Sequence, residues 1–271
     1  MSNIINLILD EISRSFYVSK QLAENLNIAP IVDIGQAGES LACALFQTKG
    51  SGTNGGMSFD TASGHEVKTV CKIQSKSCKH CSCKNAFFTS VCHQCGGADF
   101  KYVDDSRAGI SSKSHFRYKN ELESYIIFDI VPENYSHDVK QINITGWIIN
   151  KDNEFFNSML RVQAESGSDS KNLLTTSVEF YLSAPSKFFE AKLDISSDTG
   201  NNTYKINSHC YDKAFVPIVE RRLFNRNYKD LFDKIPKEGY NSVVNSLRVV
   251  ARKGTHGKRR GNVSRKNLSQ R

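Results

Sequence analysis

The stretch Phe59-Asp60-Thr61-Ala62-Ser63-Gly64-His65-Glu66-Val67-Lys68-Thr69-Val70 decides how the rest of the chain is read. Strand alternation from His65 to Val70 sends Glu66 and Lys68 to one face and Val67 to the other. Thr61 to Gly64 are short, turn-compatible residues that can fold Asp60 back beside Glu66. Two carboxylates and an ammonium are thus expected to converge on one spot. Carboxylate oxygens are hard ligands that suit Mg²⁺, which keeps several waters and takes only one or two protein carboxylates together with phosphate oxygens. A lysine beside them can orient and polarise a water, an arrangement suited to hydrolysis of a phosphodiester.

Working outward toward the N-terminus, a helix is expected from Gly35-Gln36 to about Phe46. It carries Ala37, Leu41, Ala42, Cys43, Ala44, Leu45 and Phe46 and should be buried. Glu39 in its first turn is its only charge. It is explained either by the helix dipole, worth about 0.3–1 kcal/mol, or by a role as ligand to a metal or metal-bound water beside Asp60. Thr48 to Gly56 is glycine-rich but lacks the Gly-Lys-Ser/Thr ending of a P-loop, and reads as a plain connection. Strands are expected over Met57 to Asp60 and His65 to Ile73. Before all of this, residues 3 to 27 read as one or two packing helices, closed by Pro30.

Working toward the C-terminus, Cys78-Lys79-His80-Cys81 and Cys92-His93-Gln94-Cys95 are two Cys-x2-Cys knuckles, a strong signal for tetrahedral structural Zn²⁺ on Cys78, Cys81, Cys92 and Cys95. Cys83 is an alternative to Cys81, and Cys71, His80 and His93 are further candidates. Phe87, Phe88 and Val91 supply an apolar filling between the knuckles, so the unit is expected to need its metal to fold. Six of the eight cysteines lie between Cys71 and Cys95, which argues for metal rather than dispersed disulfides. A polar segment follows in which Arg107, Lys113, Arg117 and Lys119 are candidates to contact DNA, although a solvated connector carries the same letters. His115 is open to reading as a surface histidine.

Tyr125 to Val131 and Ile142 to Ile149 read as strands buried on both faces, the pattern of a central sheet. Asp129 inside the first is read as a salt-bridged structural aspartate, with a second metal ligand as the lesser option. Beyond them are expected a helix over Glu154 to Val162, a polar linker over Glu165 to Lys171, and strands over Ser177 to Leu182, Ala191 to Ile195 and Tyr204 to Ile206. Helices over 215–232 and 240–250 complete the pattern.

The net charge of +8 is uneven: Arg248 to Arg271 hold nine Lys or Arg and no acid, so the preceding 247 residues sum to about −1. A basic tail suits a polyanion, binding through which would weaken with salt, or is a solvated disordered tail that promotes solubility. No apolar run approaches a membrane span, and Ile4 to Leu9 lacks the flanks of a signal peptide, so an intracellular protein of bacterial cytoplasmic type is expected.

With Asp60, Glu66-Val67-Lys68 and the upstream Glu39 in place, the chain resembles the PD-(D/E)XK nucleases, above all type II restriction endonucleases. The short Asp60 to Glu66 spacing looks like the MutH-type mismatch-repair nuclease. The wording Ser58-Phe59-Asp60 and His65-Glu66-Val67-Lys68-Thr69-Val70 is similar to MamI-type restriction enzymes. Phe59 stands where the family name has proline, and the cysteine knuckles are not general to the family.

The resemblance implies an α/β fold, a mixed sheet flanked by helices whose second and third strands carry the catalytic acids. Asp60 and Glu66 would hold Mg²⁺, Lys68 would position the water and Glu39 would assist. It also implies double-stranded DNA as substrate, a homodimer, and a cognate DNA methyltransferase in the same system. The expected divisions are an N-terminal helical segment (1–34), a core (35–150) with a zinc-binding insertion at about 74–100, an α+β region (151–247) and the tail (248–271). A repair or junction nuclease is the alternative function, and a non-catalytic zinc-dependent DNA-binding protein the second.

Overall fold

The two apolar runs expected at the centre of a sheet lie there. The structure is a computed structural model and describes residues 2–28, 33–51, 59–102, 107–167, 169–175, 177–198, 200 and 202–211. In chain order its elements are α1 (Ser2–Leu26), α2 (Ile34–Leu45), β1 (His65–Cys71), β2 (Ser75–Cys78), β3 (Lys84–Ala86), β4 (Phe100–Tyr102), β5 (Ala108–Ser111), α3 (Ser112–Tyr118), β6 (Ser124–Pro132), β7 (Gln141–Asn150), α4 (Glu154–Glu165), β8 (Ser170–Leu173), α5 (Val178–Leu182), β9 (Ser186–Asp194) and β10 (Thr203–Tyr211).

The main sheet has the order β1-β6-β7-β9-β10. β1 runs parallel to β6 and the remaining pairs are antiparallel, so this is a mixed α/β protein. Ile126, Phe128 and Ile130 point to one face, where they meet Ile5, Leu9, Ile12 and Phe16 of α1 and Leu41 and Ala42 of α2. Those α1 residues recur at helical spacing, which turns a single stripe of the helix inward. Tyr125 and Trp147 face the other way, against Phe156 of α4 and Phe180 of α5. The sheet is therefore covered by helices on both sides.

α2 begins at an N-cap in which Asp33 accepts from the Gln36 N–H at 3.1 Å. It is buried along one side only, through Gly38, Leu41 and Ala42, rather than all round as its letters suggest. Gly38 is required where the helix meets β1: a Cβ there would lie 1.9 Å from Thr69 Oγ1.

Several expectations are corrected. Ser177 to Leu182 is not a strand; Val178–Leu182 forms α5, because Phe180 and Leu182 turn to the apolar layer while Ser177 accepts from the Phe180 N–H. Part of the expected polar linker is β8, which pairs with β5 through Ala108↔Leu173 to Ser111↔Ser170. The polar segment after the knuckles contains β5 and α3. β9 and β10 complete the sheet begun by β1, so the sheet itself crosses residue 150. Met57 and Ser58 lie outside the described residues, and Asp60 sits in a bend beside an isolated bridge between Gly50 and Thr61 rather than in a paired strand. The helices expected over 215–232 and 240–250 and the basic tail also lie outside the described residues. Among the described residues no helix is long and apolar enough to cross a membrane.

Asp129 is the salt-bridged aspartate expected: it is 8% exposed, 3.5 Å from Lys72 Nζ, and accepts from Thr175 Oγ1 at 2.7 Å.

Candidate active site and metal centre

β1 is an edge strand, so the residues leading into it can wrap its open side. The turn after Asp60 closes through Thr61 N–H to His65 O at 3.2 Å and Gly64 N–H to Thr61 O at 3.0 Å. Gly64 has φ 86°, and a Cβ there would lie 2.7 Å from Glu121 O, so glycine is needed. The turn brings Asp60 back to β1, where its Oδ2 accepts from the Val67 N–H at 2.7 Å. Two residues of alternation put Glu66 and Lys68 side by side: Lys68 Nζ donates to Glu66 Oε1 at 2.6 Å and stands 3.9 Å from Asp60 Oδ2.

Glu39 approaches from α2. Burial raises its pKa above the ordinary carboxylate value, Asp60 adds to the rise, and Lys68 opposes it. Glu66 is raised by burial too, although Lys68 pulls it down. The four residues singled out in the sequence thus share one electrostatic environment, with Glu39 sensing Asp60, Glu66 and Lys68 together. The three carboxylates are not drawn as tightly as the cysteines. Among the described residues, the groups of three or more ligand atoms lying within 4.8 Å of one another are all in the cysteine module.

Sequence reading missed the neighbours of Glu66. Tyr125 is its register partner on β6, and its hydroxyl pKa is raised by burial and by Glu66. Behind it lies His115, which is 1% exposed and not a surface histidine. Asn157 donates through Nδ2 to Lys151 O at 2.6 Å and Asn153 O at 2.9 Å, which turns its Oδ1 toward His115 Nε2 at 2.8 Å. The Nε2 therefore carries the proton, and Nδ1 accepts from the Tyr125 hydroxyl at 3.1 Å. No local pattern links residues 115, 125 and 157, so only the fold could join them.

Of the candidate DNA contacts, Lys113 and Arg117 are exposed on α3, and the Arg117 guanidinium lies 5.1 Å from the Tyr118 ring centroid. Tyr118 meets Phe59 edge-on at 6.4 Å, so α3 borders the turn that holds Asp60. Lys119 pairs with Asp152 at 3.3 Å, and Arg107 is exposed ahead of β5.

The cysteine module is built from β2, β3 and β4 and two matching turns. Ser82 N–H donates to Cys78 O and Cys78 N–H to Cys83 O, both at 2.9 Å. Gly96 N–H donates to Cys92 O and Cys92 N–H to Gly97 O, both at 2.8 Å. Ser82 and Gly96 both take positive φ, 61° and 70°, the left-handed step that closes each knuckle.

The four sulfurs of Cys78, Cys81, Cys92 and Cys95 lie within 4.8 Å of one another, with Cys78 to Cys95 and Cys81 to Cys92 each at 3.5 Å. Zn–S bonds of about 2.3 Å in a tetrahedron put sulfurs about 3.8 Å apart. The site therefore fits a metal such as zinc. Backbone N–H groups of Cys81 and His80 lower the Cys78 pKa. Desolvation opposes the change at Cys92, yet the N–H groups of Cys95 and Gln94 and the Asn85 amide bring it to about 6. Cys81 and Cys95 are raised, so each knuckle pairs one thiol shifted toward thiolate, the form that binds metal, with one shifted away from it.

Cys81 belongs to the four, and Cys83 lies outside it. Cys71 is buried in β1, its thiol pushed up to about 12 by burial. Val91 is 52% exposed and fills nothing, whereas Phe87 and Phe88 are fully buried in the main core. The module is thus continuous with the core rather than a separate miniature one. Comparison with known protein families, curated proteins and solved structures finds no match to the chain.

Proposed function

We propose that the chain is a Mg²⁺-dependent endonuclease of double-stranded DNA, of the type II restriction kind within the PD-(D/E)XK nucleases, with structural zinc on Cys78, Cys81, Cys92 and Cys95. What carries this reading is the meeting of Glu39, Asp60, Glu66 and Lys68, from a helix, a turn and a strand, on the open edge of β1. The donor set fits the ion: hard oxygens, two of them on carboxylates whose charged forms are disfavoured by burial, so that a dication would relieve the cost. When bound, Mg²⁺ supplies Lewis acidity at the scissile phosphate and lowers the pKa of a coordinated water. Asp60 is held by the Val67 N–H for ligation beside Glu66. Lys68 orients the attacking water, and Glu39, with its raised pKa, accepts a proton more readily than an ordinary carboxylate. Lys113 and Arg117 on α3 and the basic tail offer cations for phosphates. A homodimer and a cognate methyltransferase belong to the same proposal.

A second reading rests on the Lys68–Glu66 contact. At 2.6 Å it is what a structural ion pair would show, in a zinc-dependent protein that binds DNA without cutting it.

Plasmid incubated with the protein and Mg²⁺ separates the two. Discrete fragments, lost in Asp60→Ala and Lys68→Ala while zinc content and DNA binding persist, support the nuclease. Supercoiled plasmid left intact at every salt concentration supports the binder, and undiminished cutting by both variants refutes the active-site assignment.

A further inference from the structure

Asn85 is 2% exposed and touches three potential ligands at once. Its Nδ2 donates to Cys83 O at 2.9 Å and lies 3.6 Å from Cys92 Sγ. That orientation turns its Oδ1 to His93, where it accepts from the backbone N–H at 3.1 Å and stands 2.9 Å from Nδ1. Asn27, at the end of α1, places its Nδ2 2.7 Å from the same Nδ1 while its Oδ1 accepts from the Ala86 N–H at 2.9 Å. Both side-chain amides thus occupy Nδ1, and Nε2 is turned to Cys83 Sγ, 3.3 Å away. The ligand atoms of Cys83, Cys92 and His93 all lie within 4.8 Å of one another.

From this geometry we infer a second metal site: Cys83, Cys92 and His93 hold a second zinc-type dication that shares the Cys92 thiolate with the ion on Cys78, Cys81, Cys92 and Cys95. The inference rests on the four-cysteine reading.

The spacing suits it, since Zn–S of about 2.3 Å and Zn–N of about 2.0–2.1 Å in a tetrahedron put sulfur and nitrogen about 3.6 Å apart. Charge suits it as well: four thiolates around one dication leave a net negative centre, and a second dication beside it is attracted rather than repelled. On binding, the Cys83 thiol releases its proton to solvent and His93 binds as neutral imidazole. Asn85 Oδ1 then accepts from Nδ1–H, the outer hydrogen bond that orients a ligating histidine, and the Asn27 Nδ2, itself a donor, turns away from that nitrogen. Three protein ligands leave one position open to water or a small ligand, unlike the closed four-cysteine site.

The test counts zinc in the full chain, purified without chelator and dialysed against excess zinc. Two ions per chain are expected, falling to one in both Cys83→Ser and His93→Ala; the second variant keeps the test open if the first fails to fold. Cadmium-substituted protein should show two ¹¹³Cd resonances, one of them lost in each variant. One zinc in the wild-type chain, unchanged in both variants, overturns the second site and leaves the four-cysteine site standing. Absence of zinc overturns both, and two ions retained in both variants overturn this ligand assignment.

Discussion

Lys76 on β2 is 0% exposed, has no ion-pair partner among the described residues, and donates to Thr89 O. Its Nζ lies 4.1 Å from the Phe100 ring centroid and 5.3 Å from that of Tyr102, ring faces that compensate only part of the lost hydration. Burial lowers its pKa from 10.5 to about 8. At pH 7 the ammonium is charged in both folded and unfolded chains, and the folded state bears the cost. Between pH 8 and 10.5 the folded chain has released the proton while the unfolded chain keeps it, so the unfolded state binds more protons and stability rises with pH.

The gap between 10.5 and about 8 is worth about 3 kcal/mol at about 1.4 kcal/mol per pH unit, an upper figure. Denaturant unfolding of wild type and Lys76→Met, with metal content held equal, is compared from pH 7 to 10. Other titrating groups cancel in the difference, which should move in favour of wild type by about 2–3 kcal/mol as pH rises, most of the full linkage term. Parallel curves for the two proteins would refute the claim that burial in this pocket lowers the Lys76 pKa.

Two further predictions concern the site and the sheet. Because the folded state raises the Glu66 pKa, its charged form costs stability at pH 7, and Glu66→Gln should stabilise the fold by about 0.5–2 kcal/mol while abolishing the proposed cleavage; a lower unfolding midpoint would instead mark the Lys68 contact as a structural ion pair. Gly146→Ala should cost about 1–3 kcal/mol in urea unfolding, as overpacking does, since its Cβ would lie 2.9 Å from Phe189 Cβ and 3.0 Å from Phe128 Cε1; an unchanged midpoint would show that those rings yield freely.

What could be read in advance was local in physical origin. Period-two alternation put Glu66 and Lys68 on one face, and unbroken apolar runs marked β6 and β7, because a strand's side-chain directions follow from its own backbone. Where local preference and packing disagreed, packing prevailed. Val178–Leu182 has strand-like letters but forms a helix that seats Phe180, and the segment near Ser170 reads as linker but pairs with β5.

By itself, then, the sequence determined the E-x-K face, the central strands and the pair of cysteine knuckles, since each depends on residues a few positions apart. Only the tertiary structure decided that Glu39 lies within the electrostatic influence of Asp60 and Lys68, that His115 is a buried partner of Tyr125, that Phe87 and Phe88 belong to the main core, and that Asn85 gathers Cys83, Cys92 and His93. These are meetings of residues separated along the chain, set by how helices and strands pack across the sheet, and no local spacing encodes them.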